Sequence, residues 1–410
     1  LTNSVFRQTR TDGASTSPRL KGGRLLVKDS VYGESVKAGN FTFGSGETVF
    51  SGTSTLTNSV GNPSVYVVAN KAGETARLSF RDHARLSGWN FFDTVCVGRS
   101  SAVTAPADTK AVLDFDADVK QTTAYGTAAF SFTAGKPLGD GTINIRNGWL
   151  NPGPRGLFLG AAEGSCYSRS PQSGGKGTLN MSGGALTLQS TAVSEGFILG
   201  LIVGDGAPVA ASAYETYTPW EGRYNQTGGV VTNNCNLLVG GARSFGWFTK
   251  TDGVYRQGSA GYPFIVGAAG GTGECLLGGG MTEIMSHVFV GGVFTNEIPV
   301  WASSTNWLAR YGWPVDNHTA VGTLTVTGGT VTIGTTAMKK NLNVGFDGTG
   351  TVAVEGALAD ITLNGDLVLS NTTETATSST LRFKLDATGV APIKVSGKVV
   401  NTAGTKIVVD

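Results

Sequence analysis

Three aspartates at alternate positions are the densest group of potential metal ligands in this sequence. Asp114, Asp116 and Asp118 lie in the segment KAVLDFDADVK, and Lys110 and Lys120 bound it. On a strand, alternation places the three carboxylates on one face and the apolar residues on the other. Adjacent carboxylates repel one another unless a cation or a basic side chain intervenes, and Ca²⁺ prefers such oxygen ligands. The pattern predicts either a calcium site or, as the simpler interpretation, a solvated outer face balanced by the two lysines.

His83 is a second candidate for chemistry because it lies in the run Arg-Asp-His-Ala-Arg, residues 81–85. An imidazole beside a carboxylate can exchange protons near neutral pH. The alternative is an exposed corner of the chain, which is the interpretation we favour. His287 and His318 have no metal-like companion in the sequence. The sequence also lacks the G-x-S-x-G, P-loop and H-E-x-x-H motifs, so nothing in it specifies a catalytic centre.

Aromatic residues are concentrated in segments that interrupt the otherwise small and β-branched sequence. Flat rings of this kind can stack on sugar rings or anchor a neighbouring subunit. They can equally fold back and cover the flank of the molecule as a satellite cluster. We predict that these segments are loop insertions, with ligand-binding or subunit-contact residues at Tyr214, Tyr217, Trp220, Trp247, Trp301, Trp307 and Trp313.

The composition indicates the kind of scaffold that must position these residues. Glycine contributes 61 of 410 residues, and charged residues are only 15%. Abundant glycine and β-branched residues with little charge are typical of a β-protein with many turns. The formal net charge of +2 provides no electrostatic attraction for nucleic acid, and no apolar run reaches the length of a membrane span. We therefore expect neither a nucleic-acid partner nor a membrane-spanning segment.

A glycine-punctuated repeat organises the chain, and residues 322–345 are its clearest copy. This copy reads GTLTVTGGTVTIGTTAMKKNLNVG, with two alternating strands that meet at a Gly-Gly corner and a third strand that ends in Val-Gly. Alternation gives each strand one apolar face. A unit with one apolar face cannot bury it alone, so it requires copies stacked above and below it.

Similar units begin at Gly141, Gly177, Gly222, Gly253, Gly273, Gly322 and Gly350. Their spacings are 36, 45, 31, 20, 49 and 28 residues. Conserved strand lengths combined with variable loops are typical of a solenoid, in which insertions accumulate at corners. A propeller would require steadier spacing, and a sandwich would require regular hairpin turns. The repeat predicts an all-β fold of parallel strands.

The repeated pattern G-T-L-x-V-x-G-G-x-V-x-[IVL]…L-x-V-G resembles the repeats of exported bacterial β-helix proteins. These are the autotransporter-passenger, or autotransporter-associated β-strand, repeats. Residues 379–386 and 393–397 resemble the closing coils of such proteins, and the likeness covers 140–410 well and 23–139 loosely. The resemblance implies an all-β, right-handed parallel β-helix, or β-solenoid, with loop insertions at the corners. It implies an architecture rather than an activity.

We predict two segments in the chain, an N-terminal arm at 1–20 and a single β-solenoid at 21–410. Within the solenoid, irregular coils occupy 21–139 and regular Gly-punctuated coils occupy 140–410. The arm is polar, with Phe6, Arg7 and Arg10 as predicted assembly contacts. It is held either by a neighbouring subunit or by packing along its own chain. The four cysteines, Cys96, Cys166, Cys235 and Cys275, are widely spaced and form either two long-range disulfides or buried thiols.

These observations together predict a non-enzymatic structural protein that is extracellular, secreted or at the cell surface. In this interpretation the chain is a β-solenoid subunit that assembles head to tail with itself into a surface fibre, filament or coat. Its N-terminus is Leu1 rather than Met, which suits a mature exported chain or a trimmed one. No cofactor is expected, apart from Ca²⁺ if the aspartates bind it.

Two other functions remain open at this point. The first is a glycan-binding adhesin in which the aromatic segments hold surface glycans. The second, less favoured, is a polysaccharide lyase or hydrolase on the flank of the solenoid. The resemblance bears on the second because β-helix lyases use an aspartate-bound Ca²⁺ with a basic residue. Here those groups would be the three aspartates with Arg77 or Arg81.

Overall fold

The computed structural model describes the backbone of most of the chain. The described residues are 2–3, 5–8, 19–20, 23–34, 41–58, 65–69, 72–86, 94–98, 109–122, 131–134, 139–152, 156–161, 175–189, 200–205, 219–241, 244–258, 261–292, 319–370, 378–402 and 404–410. Within these residues the protein is all-β, and every pair of neighbouring strands is parallel. The one antiparallel bridge in the described part is isolated, between Asp386 and Gly389. Stacked parallel strands, rather than hairpins, are confirmed.

The strands form three faces, which the chain visits in a repeating order. Face A comprises β3 (Arg24–Lys28), β6 (Gly46–Ser51), β9 (Thr75–Asp82), β12 (Lys110–Thr122), β14 (Asp140–Asn151), β16 (Lys176–Met181), β19 (Trp220–Asn233), β21 (Ser244–Gln257), β23 (Thr272–Leu277), β26 (Val321–Val326), β29 (Thr349–Glu355), β32 (Ser378–Lys384) and β35 (Lys406–Val409). Face B comprises β1 (Val5–Gln8), β4 (Val31–Glu34), β7 (Thr55–Asn58), β10 (Arg85–Leu86), β17 (Ala185–Leu188), β24 (Met281–Ile284), β27 (Gly329–Ile333), β30 (Ala359–Leu363), β33 (Ile393–Val395) and the second halves of β12, β14, β19 and β21. Face C comprises β2 (Arg19–Leu20), β5 (Phe41–Phe43), β8 (Val65–Val67), β11 (Thr94–Val97), β13 (Ser131–Ala134), β15 (Gly156–Ala161), β18 (Gly200–Asp205), β20 (Asn236–Val239), β22 (Phe264–Val266), β25 (Val288–Val290), β28 (Leu342–Val344), β31 (Leu367–Leu369) and β34 (Val399–Asn401).

One passage through the three faces is called a coil below. Each strand pairs in register with the strand of the same face in the next coil, so equivalent residues stack. Gly141, for example, pairs with Gly177, which pairs with Gly222. Alternate residues point into a continuous apolar interior, as the period-2 pattern predicts. The inward residues include the stacked rings of Phe50, Phe80 and Phe115, whose successive centroids are 5.3 and 5.6 Å apart.

The recurring glycines lie where the chain turns between faces. At the corner between faces C and A, Gly240, Gly267 and Gly291 have φ values of +70°, +73° and +75°. A β-carbon on any of the three would lie 2.1 Å from a backbone carbonyl oxygen of the next coil. Glycine is required there for both reasons, its left-handed conformation and the close approach of two backbones. The Val-Gly that ends each repeat therefore marks this corner.

The structure corrects the start of one repeat unit. Gly253 does not begin a coil, because it lies within β21 at the corner between faces A and B. The coil begins at Gly246, which pairs with Gly222 on one side and Gly273 on the other. The aromatic residues that precede Gly253 consequently belong to face A.

The predicted N-terminal arm, residues 1–20, contains two described strands, β1 and β2, and these are not separate from the stack. β1 pairs with β4 on face B, and β2 pairs with β5 on face C. These strands continue the stack, so the chain itself holds them in place. The side chains of Phe6 and Arg7 lie outside what the structure describes, and so does Arg10 altogether.

Three cysteines, Cys96, Cys235 and Cys275, are buried, as the interpretation of buried thiols predicted. Cys166 lies outside the described residues. Among the described residues, no helix is long and apolar enough to cross a membrane.

Candidate functional site: the outer surface of face A

Asp114 is the centre of a charged cluster on the outer surface of face A. It is buried although its side chain points outward, because two arginines from the adjacent coils cover it. Arg77 Nη1 lies 2.5 Å from Oδ2, and Arg146 Nη1 lies 3.2 Å from Oδ1. Ser79 Oγ donates a further hydrogen bond to Oδ2 at 3.3 Å. One carboxylate thereby links the strands β9, β12 and β14 across three coils.

A row of asparagines extends from this carboxylate along the stack. Asn144 Nδ2 donates to Asp114 Oδ1 at 2.7 Å. Asn180 Nδ2 donates to Asn144 Oδ1 at 2.9 Å, and Asn225 Nδ2 donates to Asn180 Oδ1 at 2.9 Å. The amides all donate in one direction, toward the carboxylate, so each bond polarises the next. We call Asp114, Asn144, Asn180 and Asn225 the amide ladder.

The sequence analysis did not identify the amide ladder, although the sequence carries its signal. An asparagine follows the first glycine by three residues in the units at Gly141, Gly177 and Gly222. Residues three apart on a strand point to opposite faces. Since the glycines point inward, the asparagines must align on the outside.

The three aspartates share the outer side of β12, as alternation predicts, but their contacts differ. Both oxygens of Asp114 are taken by arginine and asparagine donors. Asp116 is exposed, while Asp118 Oδ1 lies 2.6 Å from His83 Nδ1. No group of three His, Cys, Asp or Glu residues in the described part of the chain could hold a metal ion. Arg77, a predicted lyase base, is paired with Asp114.

His83 is exposed at the edge of face A and pairs with Asp118, which the sequence alone did not indicate. Both side chains are about half exposed. His83 therefore lies at an exposed corner of the chain, which is the interpretation that we favoured. The pair forms a surface ion pair whenever the imidazole is protonated, and such exposed pairs contribute little to stability.

The prediction that the aromatic segments are loop insertions is wrong for two residues. Trp220 is the first residue of β19 and is only 3% exposed, so it is a packing residue rather than a ligand contact. Trp247 lies within β21 on face A. Tyr214, Tyr217, Trp301, Trp307 and Trp313 lie outside the described residues.

Trp247 and Phe245 form an aromatic patch on the outer surface of face A. Their ring centroids are 5.9 Å apart and their planes differ by 20°. Arg223, from the preceding coil, places Cζ 3.9 Å from the centre of the Trp247 ring. This cation–π contact fixes the orientation of the indole. Phe245 is 40% exposed, so the patch is open to solvent.

A polar group of inward-pointing residues lies beneath the same coils. Lys250 is completely buried, and its Nζ donates to the carbonyl oxygen of Gly279. Gln226, its partner in the preceding coil, accepts from the Tyr224 hydroxyl at 2.9 Å and donates to Val254 O at 3.0 Å. Burial lowers the pKa of Lys250 to about 8, an effect that Asp252 partly offsets. Burying the charged form of Lys250 therefore lowers the free energy of unfolding.

We expect Lys250→Met to stabilise the protein at pH 7 and to remove a pH dependence. The folded-state pKa is below that of an unfolded lysine, so the unfolded chain binds more protons between pH 8 and about 10. Stability of the native sequence should therefore rise with pH in this window, and stability of the variant should not share that rise. Urea unfolding of both proteins at pH 7 and pH 9.5 measures the difference.

Lys28→Met is the control for the change from lysine to methionine, because Lys28 is exposed on β3. Comparing variant with native protein at each pH cancels the ionisation of the buried tyrosines. Parallel stability curves for the native protein and Lys250→Met would contradict the assignment.

Comparison with known proteins identifies no relative of this chain. No protein-family model, curated protein or solved structure matches the chain.

Proposed function

We propose that this protein is a right-handed β-solenoid that serves as a non-enzymatic, extracellular structural protein. In this proposal its subunits stack head to tail into a fibre, filament or surface coat. The regular A, B, C order of the faces supports the solenoid. The right-handedness rests on the strong preference of parallel strands in one sheet for right-handed crossover connections. The resemblance of the repeat to exported β-helix proteins supports the extracellular location.

Within the described residues, the coil formed by β33, β34 and β35 has an open surface, which supports the self-association. Val399, Ile407 and Val409 occupy inward positions in register with Leu367, Leu381 and Phe383 of the preceding coil. They are nevertheless 60%, 61% and 65% exposed. Each of the three strands pairs with only one neighbour in the described residues. An apolar surface with unpaired strand edges favours the addition of further strands.

The first coil has the matching order of faces. The last three strands lie on faces B, C and A, and so do β1, β2 and β3. A second copy placed on the open coil would therefore continue every face in parallel, β1 on β33, β2 on β34 and β3 on β35. At that end Val27 is already buried, so strand edges rather than apolar side chains provide most of the contact. Such a contact is heterologous and generates an open-ended assembly.

The test is to place charges on the open surface. We expect the double variant Ile407→Asp, Val409→Asp to remain monomeric at concentrations at which the native chain forms elongated particles. Two carboxylates would be buried without partners in the stacked state. Light scattering after size exclusion and negative-stain microscopy measure assembly, and circular dichroism confirms that the variant is folded.

Met338→Asp is the matched control, because Met338 is 45% exposed and lies between β27 and β28, two coils before β33 and β34. It should assemble as the native chain does. A native chain that stays monomeric at high concentration, or equal assembly of the double variant, would refute the proposal.

A further inference from the structure

The aromatic patch and the amide ladder are neighbours on the outer surface of face A. Trp247 pairs with Arg223 across β19 and β21, and Asn225 pairs with Thr249. Asn225 is consequently the diagonal neighbour of Trp247, at a separation that long side chains bridge. The ladder then continues from Asn225 to Asn180 and Asn144, one residue for each coil, at the strand spacing of about 4.8 Å.

The amide ladder retains hydrogen-bonding capacity toward solvent. A side-chain amide has two N–H donors and an oxygen with two lone pairs. Within the ladder Asn144 and Asn180 each use one donor and one lone pair. One donor and one acceptor of each residue therefore remain, held in fixed orientation on a partly exposed surface. A ligand with hydroxyl groups, which both donate and accept, matches this arrangement.

The charged side chains around the patch are paired with one another. Lys176 Nζ lies 3.2 Å from Glu221 Oε1, and Arg223 Nη2 lies 4.0 Å from Glu221 Oε2. Arg77 and Arg146 are paired with Asp114 at the far end of the ladder. Asp140 pairs in register with Lys176, and the exposed Glu274 pairs with Trp247. Basic and acidic side chains are therefore interspersed along the strip, and no cluster of one charge sign would select an ionic ligand.

We propose that this strip binds a neutral glycan chain lying along the stack of coils. A sugar ring packs its C–H face on Trp247 and Phe245, and the hydroxyl groups of the following sugars bond to Asn225, Asn180 and Asn144. A wholly apolar partner would bury the remaining donor and acceptor of each amide without hydrogen bonds, which is costly. A ligand with apolar ring faces and polar edges satisfies both the patch and the ladder.

Affinity electrophoresis tests the proposal with defined probes. The native chain is run in gels containing hydroxyethyl cellulose, xylan or galactomannan, and in a gel containing anionic polygalacturonate. We expect retardation by at least one neutral polysaccharide. Trp247→Ala should raise the apparent dissociation constant about tenfold, since aromatic residues at the centre of a contact dominate binding. Phe245→Ala, at a more exposed position, should weaken binding less and keeps the test valid if Trp247→Ala is unstable.

Val321→Ala is the matched control, because Val321 is an exposed apolar residue at the same outer position as Phe245, two coils further along face A. Its binding should equal that of the native chain. The proposal is overturned if no neutral polysaccharide retards the protein, or if only polygalacturonate does. It is also overturned if both aromatic variants bind normally. A change of particle mass caused by Trp247→Ala would instead make the patch a contact between copies and would equally overturn it.

Discussion

Gly267→Ala is expected to destabilise the protein by about 3 kcal/mol or more, a large effect for a single methyl group at the corner between two strands. Gly267 has φ of +73°, where a β-carbon is strained. That β-carbon would also lie 2.1 Å from Val321 O and 2.4 Å from Val321 C, both in the next coil. The obstacle is backbone, so no side chain can rotate away to relieve it. Urea unfolding followed by circular dichroism measures the loss.

Gly73→Ala separates the two causes of this effect. Gly73 has nearly the same conformation, with φ of +75°, but nothing lies within 4 Å of the position of its β-carbon. This variant should lose only the stability that a β-carbon costs in the left-handed conformation, about 1 to 2 kcal/mol. The difference between the two variants is then the cost of separating adjacent coils. Equal losses would show that the close approach at Gly267 is relieved at no cost.

The glycine corners were the part of the fold that the sequence could predict. A glycine is needed wherever two backbones approach within the radius of a methyl group, and that need recurs at Gly240, Gly267 and Gly291. The period-2 pattern of apolar residues was equally informative, because Leu113, Phe115 and Ala117 are all buried on β12. Both signals are local, and each follows from the geometry of one strand and one turn.

The misassigned unit at Gly253 illustrates where local reasoning fails. Glycines occur at the corner between faces A and B as well as between faces C and A, and Gly253 has the φ of +78° that both corners share. The true first position, Gly246, is preceded by Phe245 and followed by Trp247. These rings suggested a loop insertion because they interrupt the otherwise small and β-branched sequence. Only the pairing of Gly246 with Gly222 and Gly273 settles the register.

The partners of Asp114 could not be predicted for a different reason. The sequence places Lys110 and Lys120 near it, but the residues that bind it come from the adjacent coils. Arg77 and Arg146 are 37 and 32 residues away in the chain. Their distance along the chain depends on the lengths of variable loops. Alternation along β12 predicts on which side of the strand Asp114 lies, but it does not predict which residues of the adjacent coils contact it.

Asp114→Ala is expected to destabilise the protein by about 2 to 3 kcal/mol. Breaking a buried ion pair usually costs more, about 3 to 5 kcal/mol, because the partner is left as a buried charge. Here the side chains of Arg77 and Arg146 are 40% and 46% exposed and can be hydrated after the change. The remaining loss comes from Asn144 and Ser79, which lose their acceptor, and from two guanidinium groups that then face each other. Urea unfolding measures this loss.

Asp116→Ala is the matched control for this prediction, because Asp116 lies two residues further along the same strand and is exposed. It should change stability by less than about 0.5 kcal/mol. Asp114→Asn separates charge from hydrogen bonding, since an amide oxygen still accepts from Asn144 while the attraction for both arginines is lost. We expect its loss to lie between those of the other two variants. Equal stability of Asp114→Ala and Asp116→Ala would mean that the buried carboxylate does not hold the coils together. The amide ladder would then have no fixed end.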